Sequence, residues 1–280
     1  MHTPVLLQEV IENLEVRKGA RFIDATAGEG GHIEAILSAG ASAVLAIDQD
    51  HRQIESLRSR YMGDARVAIE ESNFSKIEAV AGKYKFKPVD GILFDLGISV
   101  AQLMSYGAGL SYKKDDELLD MRLSKEAGTR AIDILGDCSP SELYEIISKY
   151  SEEPKTKDIV SEIDRYRKHK KIETVGQLKE VIDSALQKKD ERAYARIFQS
   201  LRIEVNNETD NLKKGLSGAI RLIAKKGRIA VISFHSIEDR IVKQFIRKMK
   251  LHMLTKHVIS GKKGSVFERS AKLRVFGLKS

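Results

Sequence analysis

The sequence predicts an α/β protein, a parallel sheet wound with helices and interrupted by an all-helical insert. Three observations carry that reading. Short apolar runs ending in Asp24, Asp48 and Asn73, with two more at Gly91–Gly97 and Arg228–Phe234, have the length and composition of buried strands. Helix-length segments separate the first four, the alternation of a parallel sheet. Between the fourth and fifth runs that alternation stops for about 130 residues, and the interval carries helical signals instead.

The first strand, around Phe22 and Ile23, leads into DATAGEGGH, Asp24 to His32, and then into a helical pattern of Ile33, Ala35, Ile36 and Leu37. A glycine-rich turn between strand and helix lets a ligand approach the backbone, and the helix start presents free N–H groups to it. The second strand, Ala43 to Ile47, ends in Asp48, 18 residues after Gly30, where a doubly wound fold binds ribose hydroxyls. Gly28 and Gly30 fill the first two positions of the dinucleotide fingerprint, but Ile33 stands at the third. That departure disfavours a pyrophosphate cofactor. Asp24, the glycine turn and Asp48 together suit S-adenosylmethionine, which has a ribose and a charged amino-acid tail but no pyrophosphate.

The insert is punctuated by helix starts. Ser139 to Glu142 is a capping box with Pro140 at the first helical position, ahead of Leu143, Ile146 and Ile147. Pro154 opens a helix with Ile159, Ile163 and Tyr166 on one face, and Thr174 to Gln177 caps another bearing Leu178, Val181 and Ile182. Phe198, Leu201 and Val205 continue the spacing. An amphipathic helix from Asn207 to Lys226 then stops at Gly227 and returns the chain to the sheet. The expected organisation is an α/β domain of residues 1–105 and 204–280 around a helical domain of 106–203. Ligands of open parallel sheets bind outside the carboxyl ends of the strands, which gathers the loops at Asp24–Gly31, Asp48, Asn73–Phe74, Asp95–Gln102 and Ser233–Asp239 around one site.

Composition narrows the partners. With 280 residues, 42% hydrophobic and 31% charged, the chain can bury a real core. No apolar run approaches the ~20 residues a membrane span needs, and the start lacks a signal or transit pattern, so the expected place is the cytoplasm, with no membrane partner. A single cysteine, Cys138, excludes an internal disulfide and a multi-cysteine metal site, and it reads as a small buried hydrophobe. The net charge of +8 is concentrated: residues 241–280 hold 11 Lys and Arg against Glu268 alone, a net of +10, and the remaining residues sum to −2. Such a stripe is the footprint of a polyanion.

Several strings together resemble one family, the bacterial small-subunit ribosomal RNA methyltransferase H family: HTPVLLQEV, GEGGH, AIDQD, DGILFDLGIS, LLDMRLS, FQSLRIEVNNE, GRIAVISFHSIEDRIVKQF and RSAKLRV. They run in family order over nearly the whole chain. The resemblance implies a Rossmann-like class I S-adenosylmethionine-dependent methyltransferase with an inserted all-helical domain. It further implies an activity, methylation of N4 of a decoding-region cytidine in 16S rRNA. Carried over by residue, it implies cofactor contacts at Gly30, Gly31, His32, Asp48, Phe74, Asp95 and Gln102, and as partner 16S rRNA or the small ribosomal subunit. A homodimer is compatible with the sequence, but no residue pattern specifies one. The chain departs from the family pattern at Val100–Ala101, Glu191–Arg196 and Gly261–Glu268, all on the expected RNA side.

Methyl transfer from a sulfonium is an in-line displacement that depends on positioning. Cytosine N4 is a poor nucleophile because its lone pair is delocalised, so an acceptor is expected beside the amino group. Asp95, at the end of the fourth strand, is the candidate for that role, with Ser233 and His235 in the neighbouring loop. Ser233, His235 and Asp239 share one short loop, which argues against a hydrolase triad, and His235 with Glu238 or Asp239 is too small a set to specify a metal. RNA contacts are expected from Lys262, Lys263, Arg269, Lys272 and Arg274 near the end and from Arg167, Lys168, Lys170 and Lys171 in the insert. Two other readings fit parts of the sequence: a non-catalytic RNA-binding ribosome-assembly factor that keeps the fold, and an amino-methyltransferase of DNA or small molecules. The cofactor loop opposes the first, and the basic tail with LDMR opposes a small-molecule substrate.

Overall fold

The computed structural model describes residues 4–99, 102–103, 107–124, 128–255, 257–261 and 270–279. The chain forms two compact units: one runs to Gly97 and resumes at Thr209, and the other is Ile98–Glu208.

The first unit is built on an eight-stranded sheet. Its strands are β1 (Arg21–Asp24), β2 (Ala43–Asp48), β3 (Val67–Glu71), β4 (Val89–Asp95), β5 (Ile223–Ser233), β6 (His252–Met253), β7 (Ile259–Ser260) and β8 (Lys272–Gly277). The order is β3-β2-β1-β4-β5-β8-β6, with β7 also pairing β8. β1 to β5 are parallel, and β8 runs antiparallel against β5. The chain leaves β1 in one direction for β2 and β3, and β4 then starts the other half, so the order reverses between β1 and β4. The carboxyl ends of that pair, Asp24 and Asp95, flank the switch point where such sheets bind ligands. The helices of this unit are α1 (Leu7–Asn13), α2 (Gly31–Ser38), α3 (His51–Arg60) and α4 (Ile77–Lys83), with α10 (Glu208–Leu222) and α11 (Ser236–Lys248) following the insert. Two apolar layers cover the sheet: Ile23, Leu45, Ile92, Phe94 and Val231 pack with α4 and α10 residues, while Phe22, Val44, Leu93, Ala230 and Val275 pack with α1 and α2 residues. Alternate strand residues face alternate layers, the expected consequence of the pleat.

Two sequence expectations are corrected here. The helix expected to reach Lys226 ends at Leu222, because Ile223 pairs with Val89 and begins β5; a register shift between Val89 and Gly91 absorbs the residues up to Arg228. The basic C-terminal stretch supplies a strand buried in the sheet: Leu273, Val275 and Phe276 are fully buried in β8. Arg274 therefore does not offer a free charge to phosphate; its Nε donates to Asp239 at 2.6 Å. Lys262, Lys263 and Arg269 lie outside the described residues, as does most of Gly261–Glu268.

The second unit consists of α5 (Ala131–Asp137), α6 (Pro140–Ser151), α7 (Thr156–Arg167), α8 (Val175–Leu186) and α9 (Glu191–Val205) around one apolar core of Leu143, Ile147, Ile159, Ile163, Leu178, Val181, Ile197 and Leu201. Both expected capping boxes form: Glu142 N donates to Ser139 Oγ at 3.3 Å, and Gln177 N donates to Thr174 Oγ1 at the same distance. The unit spans 98–208 instead of the expected 106–203, for local reasons. Ile98, Leu103 and Ala108 pack on the helical core, and the Asn206 side chain binds the LDMR segment, donating to Met121 O at 2.8 Å and accepting from Leu123 N at 2.9 Å. The divergent stretch Glu191–Arg196 is the first half of α9, where Tyr194 bonds Asp183 and Arg196 bonds the buried Glu153. Cys138 is half-buried and its thiol pKa is raised by burial, as suits an unreactive side chain.

Candidate functional site

The turn after β1 is held open by crossed backbone bonds. Ala25 N donates to Leu93 O on one neighbouring strand and Ala27 N to Ile47 O on the other, both at 2.9 Å. Gly28 and Gly30 follow at φ of 49° and 81°, the left-handed region that a side chain strains. Gly30 caps α2, and a Cβ there would stand 2.7 Å from Leu57 Cδ2. A Cβ on Gly31 would run into the Pro4 ring. Tyr61, at the end of α3, donates its hydroxyl to Gly30 O at 3.1 Å.

Three carboxyls stand at the ends of adjacent strands. Asp48 Oδ2 accepts from Gly28 N at 2.8 Å and Oδ1 from Asp50 N at 2.9 Å, and burial pushes its pKa up to about 6. Asp24 is fully buried; Oδ1 accepts from Thr26 N at 3.2 Å, and burial, opposed by that bond, raises its pKa to about 7. Asp95 lies across the switch point, its pKa raised well above the carboxylate range by burial and then by Asp24 and Glu238. Asp24 Oδ2 and Asp95 Oδ1 are buried without a hydrogen-bond partner. Such atoms are costly to bury and mark a place for a ligand.

His32 is buried in the first turn of α2. Its Nε2–H donates to Val5 O at 3.3 Å, and its Nδ1 stands 3.8 Å from Asp95 Oδ2. Burial lowers its pKa to about 4, so this approach is between a neutral imidazole and a carboxyl, not an ion pair. On the next loop, Asn73 Nδ2 donates to Gln49 Oε1 at 2.6 Å and Asn73 Oδ1 accepts from Ser75 N at 2.9 Å, which sets Phe74 edge-on to Phe94 at 5.7 Å. Phe74 is half-buried against the core and keeps part of its ring exposed.

The loop after β5 is organised by α11. His235 is its N-cap: Nδ1 accepts from Glu238 N at 3.5 Å, while Glu238 Oε2 accepts from Phe234 N at 2.8 Å. His235 Nε2 stands 3.2 Å from Glu238 Oε1 without hydrogen-bond geometry. Ser233 is buried, its hydroxyl turned to Lys272 O at 3.5 Å. Asp239 is paired with Arg274 and with Lys243 at 3.1 Å, which hold its carboxyl below the usual range against burial. Asp239 is thus committed to cations, and no Ser–His–Asp relay assembles.

Gly30, Gly31, His32, Asp48, Phe74, Asp95, Ser233 and His235 all fall at the carboxyl edge of the first unit. Gln102 belongs to the second unit, where its Oε1 accepts from Ser99 N at 2.8 Å and its own N–H donates to Ser99 Oγ at 3.1 Å. The neighbouring Val100 and Ala101 lie outside the described residues. Sequence reasoning missed Thr26, whose Oγ1 accepts the backbone N–H of Asp95 at 2.6 Å, and the capping role of Glu238, which it weighed only as a metal ligand. Both stand inside strings that were singled out, but their roles depend on partners the strings do not reveal. Of the expected RNA contacts, Arg167 is spent on the carbonyls of Leu135, Gly136 and Cys138, and Lys168 on Asp164. Lys170 and Lys171 are exposed. No helix among the described residues is long and apolar enough to cross a membrane.

The whole chain has relatives. A protein named ribosomal RNA small subunit methyltransferase H from Caldicellulosiruptor saccharolyticus is 38% identical, covering 98% of each chain. Proteins of the same name from Dictyoglomus thermophilum (37% identical; 98% of this chain, 96% of that one) and Thermomicrobium roseum (42%; 88% and 77%) match as well. Solved structures fit more loosely: an rRNA methylase from Streptococcus thermophilus covers 100% of this chain and 99% of its own at 10% identity and a TM-score of 0.49, so the fold is read from the strand order above. The sequence profile of the MraW methylase family matches residues 1–276. Matched over nearly its whole length by that profile and by these relatives, the chain belongs to the MraW methylase family.

Proposed function

We propose that this protein transfers a methyl group from S-adenosylmethionine to N4 of a cytidine in 16S rRNA, as free RNA or within the small ribosomal subunit. The observation that carries the reading is the likeness, over 98% of the chain, to a ribosomal RNA small subunit methyltransferase. The cofactor fits the residues present. The unpartnered oxygens of Asp24 and Asp95 suit a ligand bearing positive charge, and the turn at Gly30 and Gly31 has no room for a Cβ. Asp48 accepts backbone N–H groups that fix its carboxylate and keeps acceptor capacity for a ribose hydroxyl. Phe74 offers the partly exposed ring against which an adenine packs. The cofactor supplies a methyl carbon made electrophilic by the sulfonium.

The chain's own contribution is to orient the amine and accept its proton. Asp95, with a pKa lifted by burial, is a stronger base than an exposed carboxylate, and it stands at the switch point. A hydrogen bond from N4 to Asp95 draws the nitrogen lone pair out of conjugation. Thr26 fixes the Asp95 backbone, and His235 and Ser233 hold the adjoining loop. Gln102, from the second unit, remains a proposed cofactor contact.

The test is a tritiated-methyl transfer assay on naked 16S rRNA and on small subunits lacking N4 methylation, followed by nucleoside mass spectrometry. N4-methylcytidine at one site is the expected product. Cofactor binding without transfer to either acceptor would instead favour the assembly-factor reading.

A further inference from the structure

Thr26 links the carboxyl of Asp24 to the backbone of Asp95 across the switch point. Its N–H donates to Asp24 Oδ1 and its Oγ1 accepts the Asp95 amide, while Asp24 Oδ2 and Asp95 Oδ1 remain buried and unpartnered. Among the described residues, the groups facing the pair bring no positive charge. Asp24 is faced by Asp48 from β2 and Tyr61 from α3; Asp95 is faced by Asp24, by Glu238 from α11 and by His32 from α2. The imidazole of His32 is neutral, with its pKa at about 4. Two carboxylates ionised together in such surroundings repel each other, and a proton retained on the pair relieves this.

We infer that the buried pair of Asp24 and Asp95 retains one proton that is lost when a cationic ligand binds and kept when the ligand is neutral. The inference rests on the proposed cofactor. S-adenosylmethionine carries a net positive charge, whereas S-adenosylhomocysteine, its thioether product, carries none. The pair therefore distinguishes reactant from product by charge. In the reaction the N4 lone pair forms the new N–C bond, and the C–S pair stays on sulfur. The proton leaving the amine then returns to the carboxyl pair, which no longer faces a sulfonium. The product is thus left with a site that carries one negative charge fewer than the one that held the reactant.

Isothermal titration of the full chain with each compound, near pH 6 in buffers of different ionisation enthalpy, measures the proton count. The pair predicts that S-adenosylmethionine releases about one proton more than S-adenosylhomocysteine. Its Kd should tighten by up to about tenfold per pH unit as pH rises toward 7, while that of the product stays flat. Asp24→Asn should bind both compounds and lose the difference. Thr26→Val should shrink it, and Thr26→Ser should keep it. Equal proton release for both compounds in the wild type would overturn the inference while leaving the cofactor intact. Failure of both compounds to bind would overturn the cofactor reading itself.

Discussion

Gly30 shows how narrowly single residues are set at this edge. Its φ of 81° and the 2.7 Å approach that a Cβ would make to Leu57 act in the same direction. Gly30→Ala should cost about 1–3 kcal/mol in stability and weaken cofactor binding, checked by thermal denaturation and by titration. Asp24 has the opposite character, a buried acid that prefers its proton. Its folded pKa of about 7 lies above the ordinary 3.8, so its contribution to stability is full below about pH 4 and is lost as pH rises through 7. The stability difference between wild type and Asp24→Asn, followed by denaturant melts of the ligand-free protein, should therefore turn against the wild type as pH rises from 4 to 7. A pH-independent difference would mean that Asp24 is already ionised in the fold. Gly30, Asp48 and Asp95 were legible because glycine turns and strand-end acids leave marks at fixed spacing. Thr26 was not, since its partner Asp95 is 69 residues away and becomes a neighbour only when β1 pairs with β4.

Elements explain why His235 stands where it does. Read in sequence, a histidine between a strand and a helix beside a serine and two acids suggests reaction chemistry. In the fold its Nδ1 holds the N–H of Glu238 and Glu238 returns the bond to the preceding loop, the reciprocal arrangement of a capping box. His235→Ala should lower stability by about 1 kcal/mol, and His235→Asn, which can also cap, should restore most of it. Methyl transfer by the Asn variant close to the wild-type rate would assign His235 to capping; a large loss with stability restored would return it to the chemistry. The capping boxes at Ser139 and Thr174 were legible because both partners lie within four residues. The end of α10 was not: Ile223 continues the apolar spacing of the helix, and only the β4 edge, a long-range partner, turns it into a strand.

At the scale of the whole molecule, the chain forms two units. The five parallel strands, the acids at their ends and the glycine turn of the first were largely readable from strand–helix alternation, whereas the three short or antiparallel strands after α11 were not. The limits of the second were not, because residues 98–124 lack helical periodicity and join the insert through long-range contacts, such as Asn206 on Met121 and Leu123 and the Leu119 amide on Glu173 O. Charge behaved similarly. The basic tail was visible in composition, yet Arg274 is consumed by Asp239, and Arg167 in the insert by three carbonyls. Lys170 and Lys171 are exposed on the turn between α7 and α8. Replacing both by Ala should weaken RNA binding and reduce the slope of log affinity against log salt by up to about 1.4, on the order of 0.7 per lost phosphate contact. An unchanged slope would leave that turn as solvated surface.

If the strand-end acids of the first unit carry out methyl transfer, single-turnover kinetics of Asp95→Asn on small-subunit rRNA will expose it. Saturating cofactor removes any change in its affinity from the result, and N4-methylcytidine is quantified by mass spectrometry. The Asn variant should transfer at a rate lower by about 10²–10⁴. Transfer at the wild-type rate would contradict it and place the acceptor of the N4 proton elsewhere.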